Sequence, residues 1–534
     1  MSHLVDLVLA QCERTPEAVA LRWWGSTTGR ERRTPVEVTY RSLARQVEAT
    51  ATGLSRHGLR PGGRVLFSVR PRPEGVVLAL GVVRARGAVV FVDPGSTPEL
   101  FAARLAAAAP TMAATESLLH ALATGPLRGV ARRRGLLLPR WAQLDLQHLH
   151  TGPRLPGVPR GSVRAAALAR PAAAATGSWQ VDGTDGQGAG HAEDEALVVF
   201  TSGTTDAPRA VVHTAGSLAA ATELLGAVHR LEPGEEVHTD QMLLGLPALL
   251  SGATWSIPAR APAQDVVSFA ARAADAASTY LVPADVTALL DAVEAGRAPA
   301  RSARRVLVGG APVTAALLAR AVRVLPETRW TGVYGMTEIL PVAVVEAEEK
   351  LAHTGEGDLV GRVLPGVEVR IDGEELVLSG PSLMRGYLGA SPVTEHRSGD
   401  LARVQDGRLV LVGRARDMII RGTVNIYPGL HEPRLARLPG VRAAALVGVP
   451  QEDGDERVVL VVEGDRTTAD ALPSARTPLT SAVTHQLPEV LDHGALPDAV
   501  VQVGRMPVAG RSRKPDRRAL VTLVQPLLGP EQGR

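Results

Sequence analysis

RVLFSVRPRPEGVVLALGVVRARGAVVFVDP, residues 64–94, decides how the chain folds. Two runs rich in Val, Leu and Phe, RVLFSV and AVVFVDP, flank a helical stretch over Gly75 to Arg86. Continuous apolar strands separated by a helix mark a parallel sheet covered on both faces. Upstream, residues 38–60 read as a short strand and an amphipathic helix ending near Gly58. Downstream the alternation resumes with ALVVF, AVVHT, a helix from about Ser217, STYLV, RRVLVGG and a helix over Val313 to Leu325. From about Gly366 the pattern changes to short strands: VEVRI, EELVLSG and RLVLVG. Beyond Arg416 comes a smaller segment with strands AAALVGV and RVVLVVEG and a helix near Thr477 to Gln486. The expected division is therefore residues 1–415 and 416–534. Residues 150–193, rich in Ala, Pro, Gly and Arg, read as a surface excursion or linker.

Composition removes several function classes. Apolar residues make up 45% of the 534, enough for large cores. Aromatics are only 3%, which argues against nucleic-acid readers that stack bases on Phe and Tyr. Lys and Arg number 58 against 55 Asp and Glu, a formal charge of +3, so no polyanion-binding surface is implied. One cysteine, Cys12, excludes an internal disulfide framework and a Cys-rich zinc site. Gln241 to Ala259 is uncharged and about long enough to span a bilayer. Its Gly245, Pro247 and Gly252 favour a buried strand-turn-strand instead. The expectation is a soluble protein without a membrane span, in a reducing compartment and so cytoplasmic.

Lys350 and Lys514 are the only lysines; every other residue in the basic count is arginine. An ammonium is a compact point charge and a guanidinium a planar fork, so a lysine kept against that bias marks a tight site. Lys350 lies in the acidic run EAEEK and reads as a solvated helix residue. Lys514 lies in RSRKPDRRAL, where an arginine would have supplied charge alone, and stands as the chemical candidate. Glu349 and Arg513 precede the two lysines, so there is no G-K-[ST] phosphate loop. A nucleophile elbow, a zinc helix and an EF-hand loop are likewise missing from the sequence. GQGAG (Gly186 to Gly190) lacks the strand and spacing of a dinucleotide fingerprint.

Four segments carry chemistry. TSGTTDAPR, Thr201 to Arg209, surrounds a glycine with hydroxyls and ends on a cation, a set that can wrap phosphate oxygens. GVYGMTE, Gly332 to Glu338, offers a ring for a flat base and a carboxylate suited to Mg²⁺. SGD, Ser398 to Asp400, and GRARD, Gly413 to Asp417, offer a carboxylate for ribose hydroxyls and an arginine fork. Lys514 is the fourth. Taken singly, each reads more readily as a polar turn, a strand end or a tail lysine.

Together they carry a resemblance. TSGTTDAPRAV, GGAP (Gly309 to Pro312), YGMTE, SGD, GRARDMII followed by RGTVNIYP, and KPDRRAL run in the order seen in the adenylate-forming superfamily. That superfamily holds acyl-CoA synthetases, luciferases and peptide-synthetase adenylation domains. The resemblance extends from TYRSLA to Lys514. It implies an α/β fold: a large N-terminal lobe of parallel βαβ subdomains with a small β-barrel-like part, and a small mobile α+β C-terminal domain. By resemblance, Thr201, Ser202, Gly203, Thr204, Thr205 and Arg209 would form the phosphate loop. Gly309, Ala311, Pro312 and Tyr334 would hold adenine, Thr337 the α-phosphate, and Glu338 the magnesium. Asp400 would bind the ribose hydroxyls and Arg414 ribose or phosphate. Lys514 would bridge the acid's carboxylate and the α-phosphate, and Arg416 would be the hinge for domain rotation. The implied ligands are ATP, Mg²⁺ and a carboxylic acid, with CoA as co-substrate of a thioester route.

The sequence departs from the superfamily pattern at several points. The phosphate loop usually reads G-x-P-K-G; here Asp206, Arg209 and Ala210 stand in place of Gly, Lys and Gly. Arg209 keeps the charge, whereas Asp206 adds an anion beside phosphates. Arg416 replaces the common Asp or Lys hinge, and Thr423 a usual glycine facing the thioester tunnel, so the second half-reaction is touched more than the first. Three readings follow. The first is acyl-AMP formation from a fatty acid and transfer to CoA. The second is a β-lactone synthetase in which the substrate's own β-hydroxyl captures the adenylate; TEILPVA, FVDPG (Phe91 to Gly95), the EPGE run at Glu232 and GRVLPGVEVRI look like that subgroup. The third is a degenerate homologue that binds nucleotide or acyl chains without turnover.

Overall fold

The computed structural model describes the chain apart from residues 1, 28–29, 32–33, 93–97, 125–127, 129–137, 171–190, 201–209, 415–418, 422–423, 427, 451–455, 466–470, 492–495, 510–513 and 529–534. RVLFSVRP… folds as read: strand Arg64–Ser68, helix Pro73–Arg84 with proline in its first turn, and strand Ala88–Phe91. The two strands pair in parallel, Arg64 opposite Ala88. Residues 36–56 form strand Val36–Thr39 and helix Tyr40–Arg56, with the Thr39 hydroxyl accepting from the Ser42 N–H at 3.2 Å as N-cap.

These elements belong to an eight-stranded sheet. Strands Glu195–Phe200, Ala88–Phe91, Arg64–Ser68, Met112–Glu116, Gln147–Thr151 and Val163–Arg164 run parallel in that order across it. Ala210–Thr214 turns back antiparallel on Glu195–Phe200, and the short strand Gly386–Tyr387 closes that edge. A thirteen-stranded sheet carries the rest of the large lobe. Its parallel centre is Arg329–Met336, Arg305–Gly309, Ser278–Leu281, Glu236–His238, Thr254–Ile257 and Val19–Trp23. The short strands after Gly366 continue it as an antiparallel arm ending at Glu368–Asp372. One core joins both sheets through helices, with Leu21, Trp255 and Ile257 from one, Ala196 from the other, and Val8, Leu43, Val76 and Leu218 between.

The last part of the chain builds its own sheet. Val441–Pro450 pairs antiparallel with Glu456–Gly464, which pairs in parallel with Ala499–Val503. Strand alternation sends Leu446, Leu460 and Val462 against helices Pro428–Leu435 and Pro478–Val490, and Val447, Val459 and Val461 against helix Arg517–Val524. Among the described residues these two cores use nothing before Ile419. Helix Pro428–Leu435 packs back on strand Arg408–Arg414, so closely that a Cβ on Gly429 would lie 2.8 Å from the Gly413 Cα.

Three expectations need correction. Gln241 to Ala259 is helix Met242–Ser251 followed by strand Thr254–Ile257, not strand-turn-strand. Gly245, read as a breaker, is a packing residue: a Cβ there would fall 1.9 Å from the Trp255 indole. The turn is at Gly252, whose φ of +77° suits glycine. No helix among the described residues is long and apolar enough to cross a membrane. Within residues 150–193, the part up to residue 170 is no linker: Val163–Arg164 extends the sheet, and Leu168 of the helix Ala165–Leu168 is buried against Gly53. The Glu74 carboxylate fixes it by accepting from the N–H groups of Gly152 and Ala166, both at 3.0 Å. Lys350 is not solvated: 3% of it is exposed, and its ammonium donates to the Leu359 carbonyl at 3.0 Å and pairs with Asp358 at 2.6 Å.

Candidate active site

Strands Arg329–Met336 and Ile339–Glu346 form a hairpin with Thr337 and Glu338 at its tip. Tyr334 points its phenol at strand His396–Gln405, four strands along the same sheet, and donates to Asp400 Oδ2 at 2.6 Å. Asp400 is 2% exposed, so its carboxylate depends on such partners. Ser398 shapes the approach, its hydroxyl donating to the Leu376 carbonyl at 2.7 Å and accepting from the Asp400 N–H at 3.0 Å. Arg414 stands directly opposite Asp400 on strand Arg408–Arg414.

Gly309 ends strand Arg305–Gly309 beside the hairpin, opposite Val333. A Cβ at Gly309 would sit 2.8 Å from the Val333 carbonyl oxygen and 2.9 Å from the Tyr280 hydroxyl, so the backbone there can be approached closely only because the residue is glycine. Burial raises the Tyr280 pKa and keeps that phenol neutral. Ala311 and Pro312 follow, half-buried and exposed. Gly309, Ala311, Pro312, Tyr334, Thr337, Glu338 and Asp400 thus share the C-terminal edge of the parallel strands, where open α/β sheets place ligands.

The tip is tied to the other sheet. The Thr337 carbonyl lies 2.7 Å from His213 Nε2, and His213 Nδ1 lies 3.1 Å from the Ser217 hydroxyl. A carbonyl only accepts, so Nε2 carries the proton. Burial lowers the His213 pKa against the opposing pull of the Thr337 carbonyl and Glu338, which fits a neutral ring. The Glu338 carbonyl accepts from the Met384 N–H at 2.7 Å, and Glu338 Oε1 accepts from the Tyr387 phenol at 3.0 Å. His396, with its ring centroid 6.4 Å from that of Tyr387, also has its pKa lowered by burial, while Glu338, Glu375 and Asp400 pull the other way.

Thr201, Ser202, Gly203, Thr204, Thr205 and Arg209 lie outside the described residues, as does Arg416. The residues bounding that loop are directly paired, Phe200 with Ala210, and the next residue, Val211, pairs with Tyr387. The Ala210 end of the loop therefore begins the strand that pairs with Tyr387, the residue bonded to Glu338, and the Phe200 end lies one strand further on. Lys514 is carried by the C-terminal unit, half-buried on strand Lys514–Pro515 opposite Ala509. The helix after it is fixed by Asp516, which accepts from the Ala519 N–H at 3.0 Å, and by Arg517, bonded to Glu432 at 2.8 Å and to the Leu446 carbonyl at 2.6 Å.

Among the described residues no group of three or more His, Cys, Asp or Glu could hold a metal by itself. One carboxylate at Glu338 suits Mg²⁺, which keeps waters and takes its remaining ligands from substrate phosphates.

The family profile described as AMP-binding enzyme matches residues 8–388. The chain belongs to that family. It is 30% identical to the olefin beta-lactone synthetase of Stenotrophomonas maltophilia (strain K279a), covering 90% of this chain and 92% of that protein. It is also 30% identical to the feruloyl-CoA synthase of an Amycolatopsis species, over 86% of this chain and 88% of that one. The structure of the amide bond synthetase McbA from Marinactinospora thermotolerans superposes with a TM-score of 0.74 at 23% identity, covering 97% of this chain and 98% of that one, a likeness of fold. The AMP-binding assignment places the chain, of mixed α/β fold, among the adenylate-forming ligases, enzymes that use ATP and Mg²⁺.

Sequence reasoning missed Tyr387, His213 and Tyr280. A signal was present: the chain has only five tyrosines. Three of them, Tyr280, Tyr334 and Tyr387, converge on this edge.

Proposed function

We propose that the chain activates a 3-hydroxy fatty acid with ATP and closes it to a β-lactone. In the first step a carboxylate oxygen attacks the α-phosphorus, the bond to pyrophosphate breaks, and acyl-AMP forms. In the second the substrate's β-hydroxyl oxygen attacks the acyl carbon, AMP leaves, and the hydroxyl proton passes to solvent. The observation that carries the first step is the edge itself: Thr337 is bonded to His213 on the strand that leaves the TSGTTDAPR loop, Glu338 is bonded to Tyr387 on the strand paired with it, and Tyr334 of the same hairpin is bonded to Asp400. Similarity to olefin beta-lactone synthetases over 90% of the chain supports the second.

The roles follow from charge. Two anions must meet, so catalysis is positioning and neutralisation. Thr201, Ser202, Gly203, Thr204, Thr205 and Arg209 would wrap the β- and γ-phosphates. Gly309, Ala311, Pro312 and Tyr334 would bound the adenine, Asp400 would take the ribose hydroxyls, and Arg414 would reach ribose or phosphate. Thr337 would donate to the α-phosphate. Mg²⁺ on Glu338 would neutralise the departing pyrophosphate. Lys514 would bridge carboxylate and α-phosphate after the C-terminal unit, 416–534, turns about Arg416. The low aromatic content, 3%, and the aliphatic run GLPALL favour an aliphatic acid.

A second reading, transfer of the acyl group to CoA, is supported by the similarity to feruloyl-CoA synthase. Product analysis after incubation with ATP, Mg²⁺ and a series of fatty and 3-hydroxy acids separates the two. The proposal expects CoA-independent pyrophosphate release and a product one water lighter than the 3-hydroxy acid. A CoA thioester with no lactone would overturn the capture step, and no pyrophosphate from any acid would overturn both readings.

A further inference from the structure

We infer that Tyr387 is a positioning residue that aims the Glu338 carboxylate at a divalent cation beside the nucleotide phosphates. The inference rests on the reading of Glu338 as the metal-binding carboxylate. Glu338 sits half-exposed at a hairpin tip, and a glutamate in such a place samples several rotamers unless it is held. Here the whole residue is held. The Tyr387 phenol donates to Oε1 at 3.0 Å, the Glu338 carbonyl accepts from the Met384 N–H at 2.7 Å, and the preceding Thr337 carbonyl is bonded to His213 at 2.7 Å.

Tyr387 is itself held rigidly. It pairs with Val211, and on either side the Arg385 and Leu388 N–H groups donate to the carbonyls of Val212 and Ala210, both at 2.8 Å. At the adjoining Gly386, φ is +154° and a Cβ would come 2.9 Å from the Ser391 carbonyl oxygen, which pins the strand's entry. Its ring packs against the core that holds Ile339 and Met384. The strand it pairs with begins at Ala210, directly after the last residue of TSGTTDAPR. One ribbon therefore references both the loop expected on the phosphates and the carboxylate expected on their metal. The donor's chemistry fits: a phenol fixes one carboxylate oxygen without neutralising it, leaving the other as a ligand, whereas Lys or Arg would compete with the cation. Partners of this kind behind metal-ligating carboxylates are worth about 10–100-fold in metal affinity.

The test is Mn²⁺ titration by electron paramagnetic resonance with α,β-methylene-ATP bound, on the parent protein, Tyr387→Phe and Glu338→Gln. Tyr387→Phe should weaken Mn²⁺ binding by about 10-fold or more and shift the Mg²⁺ dependence of adenylation equally. The lost rate should return at saturating Mg²⁺, with the melting temperature unchanged. Weakened binding in Glu338→Gln with parental affinity in Tyr387→Phe would overturn the role of Tyr387 alone. Parental affinity in Glu338→Gln would overturn the reading of Glu338 and the inference with it. A Tyr387→Phe rate defect that saturating Mg²⁺ does not correct, at unchanged Mn²⁺ affinity, would show a purely structural role.

Discussion

The Lys350 ammonium pairs with Asp358 at 2.6 Å and with the Leu359 carbonyl at 3.0 Å, and 4% of its side chain is exposed. Lys350 lies on helix Ala347–Ala352 and reaches Asp358 and Leu359 at the start of strand Asp358–Val363, a buried place that suits a compact ammonium. Removing the ammonium in Lys350→Met should leave Asp358 without its partner. Because Asp358 is about a quarter exposed, the cost should be about 2 kcal/mol, below the 3–5 kcal/mol of a fully buried pair, measured as a lowered thermal transition. An unchanged transition would mean the pair contributes nothing. The acidic run EAEEK hid this role, since neighbouring charges suggest a solvated face while the deciding carboxylate lies beyond the next turn. The same limit applies to Tyr387 and His213, whose partners are 49 and 124 residues away in sequence. Asp400 and Tyr334 were readable as a pair of motifs, yet their direct bond was not.

Helix Met242–Ser251 and the strand after it depend on one hydrogen atom. Gly245→Ala should drive a methyl into Trp255, which is fully buried, and cost about 1–3 kcal/mol or more; a parental melting curve would refute the close packing. The segment's strand-turn-strand expectation failed because it is apolar all round, so period could not separate helix from strand and Gly245 and Pro247 looked like breakers. Strongly patterned elements fared better: strands Arg64–Ser68 and Ala88–Phe91 and the helix between them fall where Val and Leu spacing puts them. At the end of helix Ala215–His229, the His229 ring is buried and shares a 2.7 Å bond between Nδ1 and the Ser278 hydroxyl. Burial, with Arg305 nearby, pushes its pKa down to about 3. The unfolded chain takes up this proton below about pH 6.5 and the folded chain resists it. Stability should therefore be full above that pH and fall toward pH 3 by at most about 1.4 kcal/mol per unit for this one group. His229→Asn keeps a bonding atom for Ser278 and should flatten the loss between pH 6.5 and 5; an unchanged slope in thermal denaturation would contradict it.

Two sheets share one helical core, and the parallel strands of the larger end beside the hairpin formed by Glu195–Phe200 and Ala210–Thr214. That arrangement sets the Thr337–Glu338 tip against one sheet and anchors it in the other. The order of motifs along the chain gave the family, because order survives where single motifs are ambiguous, and the match over residues 8–388 agrees. The acid and its capture were not readable, since they depend on pocket walls assembled from distant segments. The central claim is that a carboxylic acid and ATP meet at this edge with Lys514 as their bridge. The most direct test is acid-dependent ATP–pyrophosphate exchange by the parent chain and by Lys514→Arg, over fatty and 3-hydroxy acids. Exchange by the parent chain with at least one aliphatic acid is expected, with a loss of about 10²-fold or more in the variant. Exchange at the parental rate in Lys514→Arg, or none by the parent chain with any acid, would contradict it.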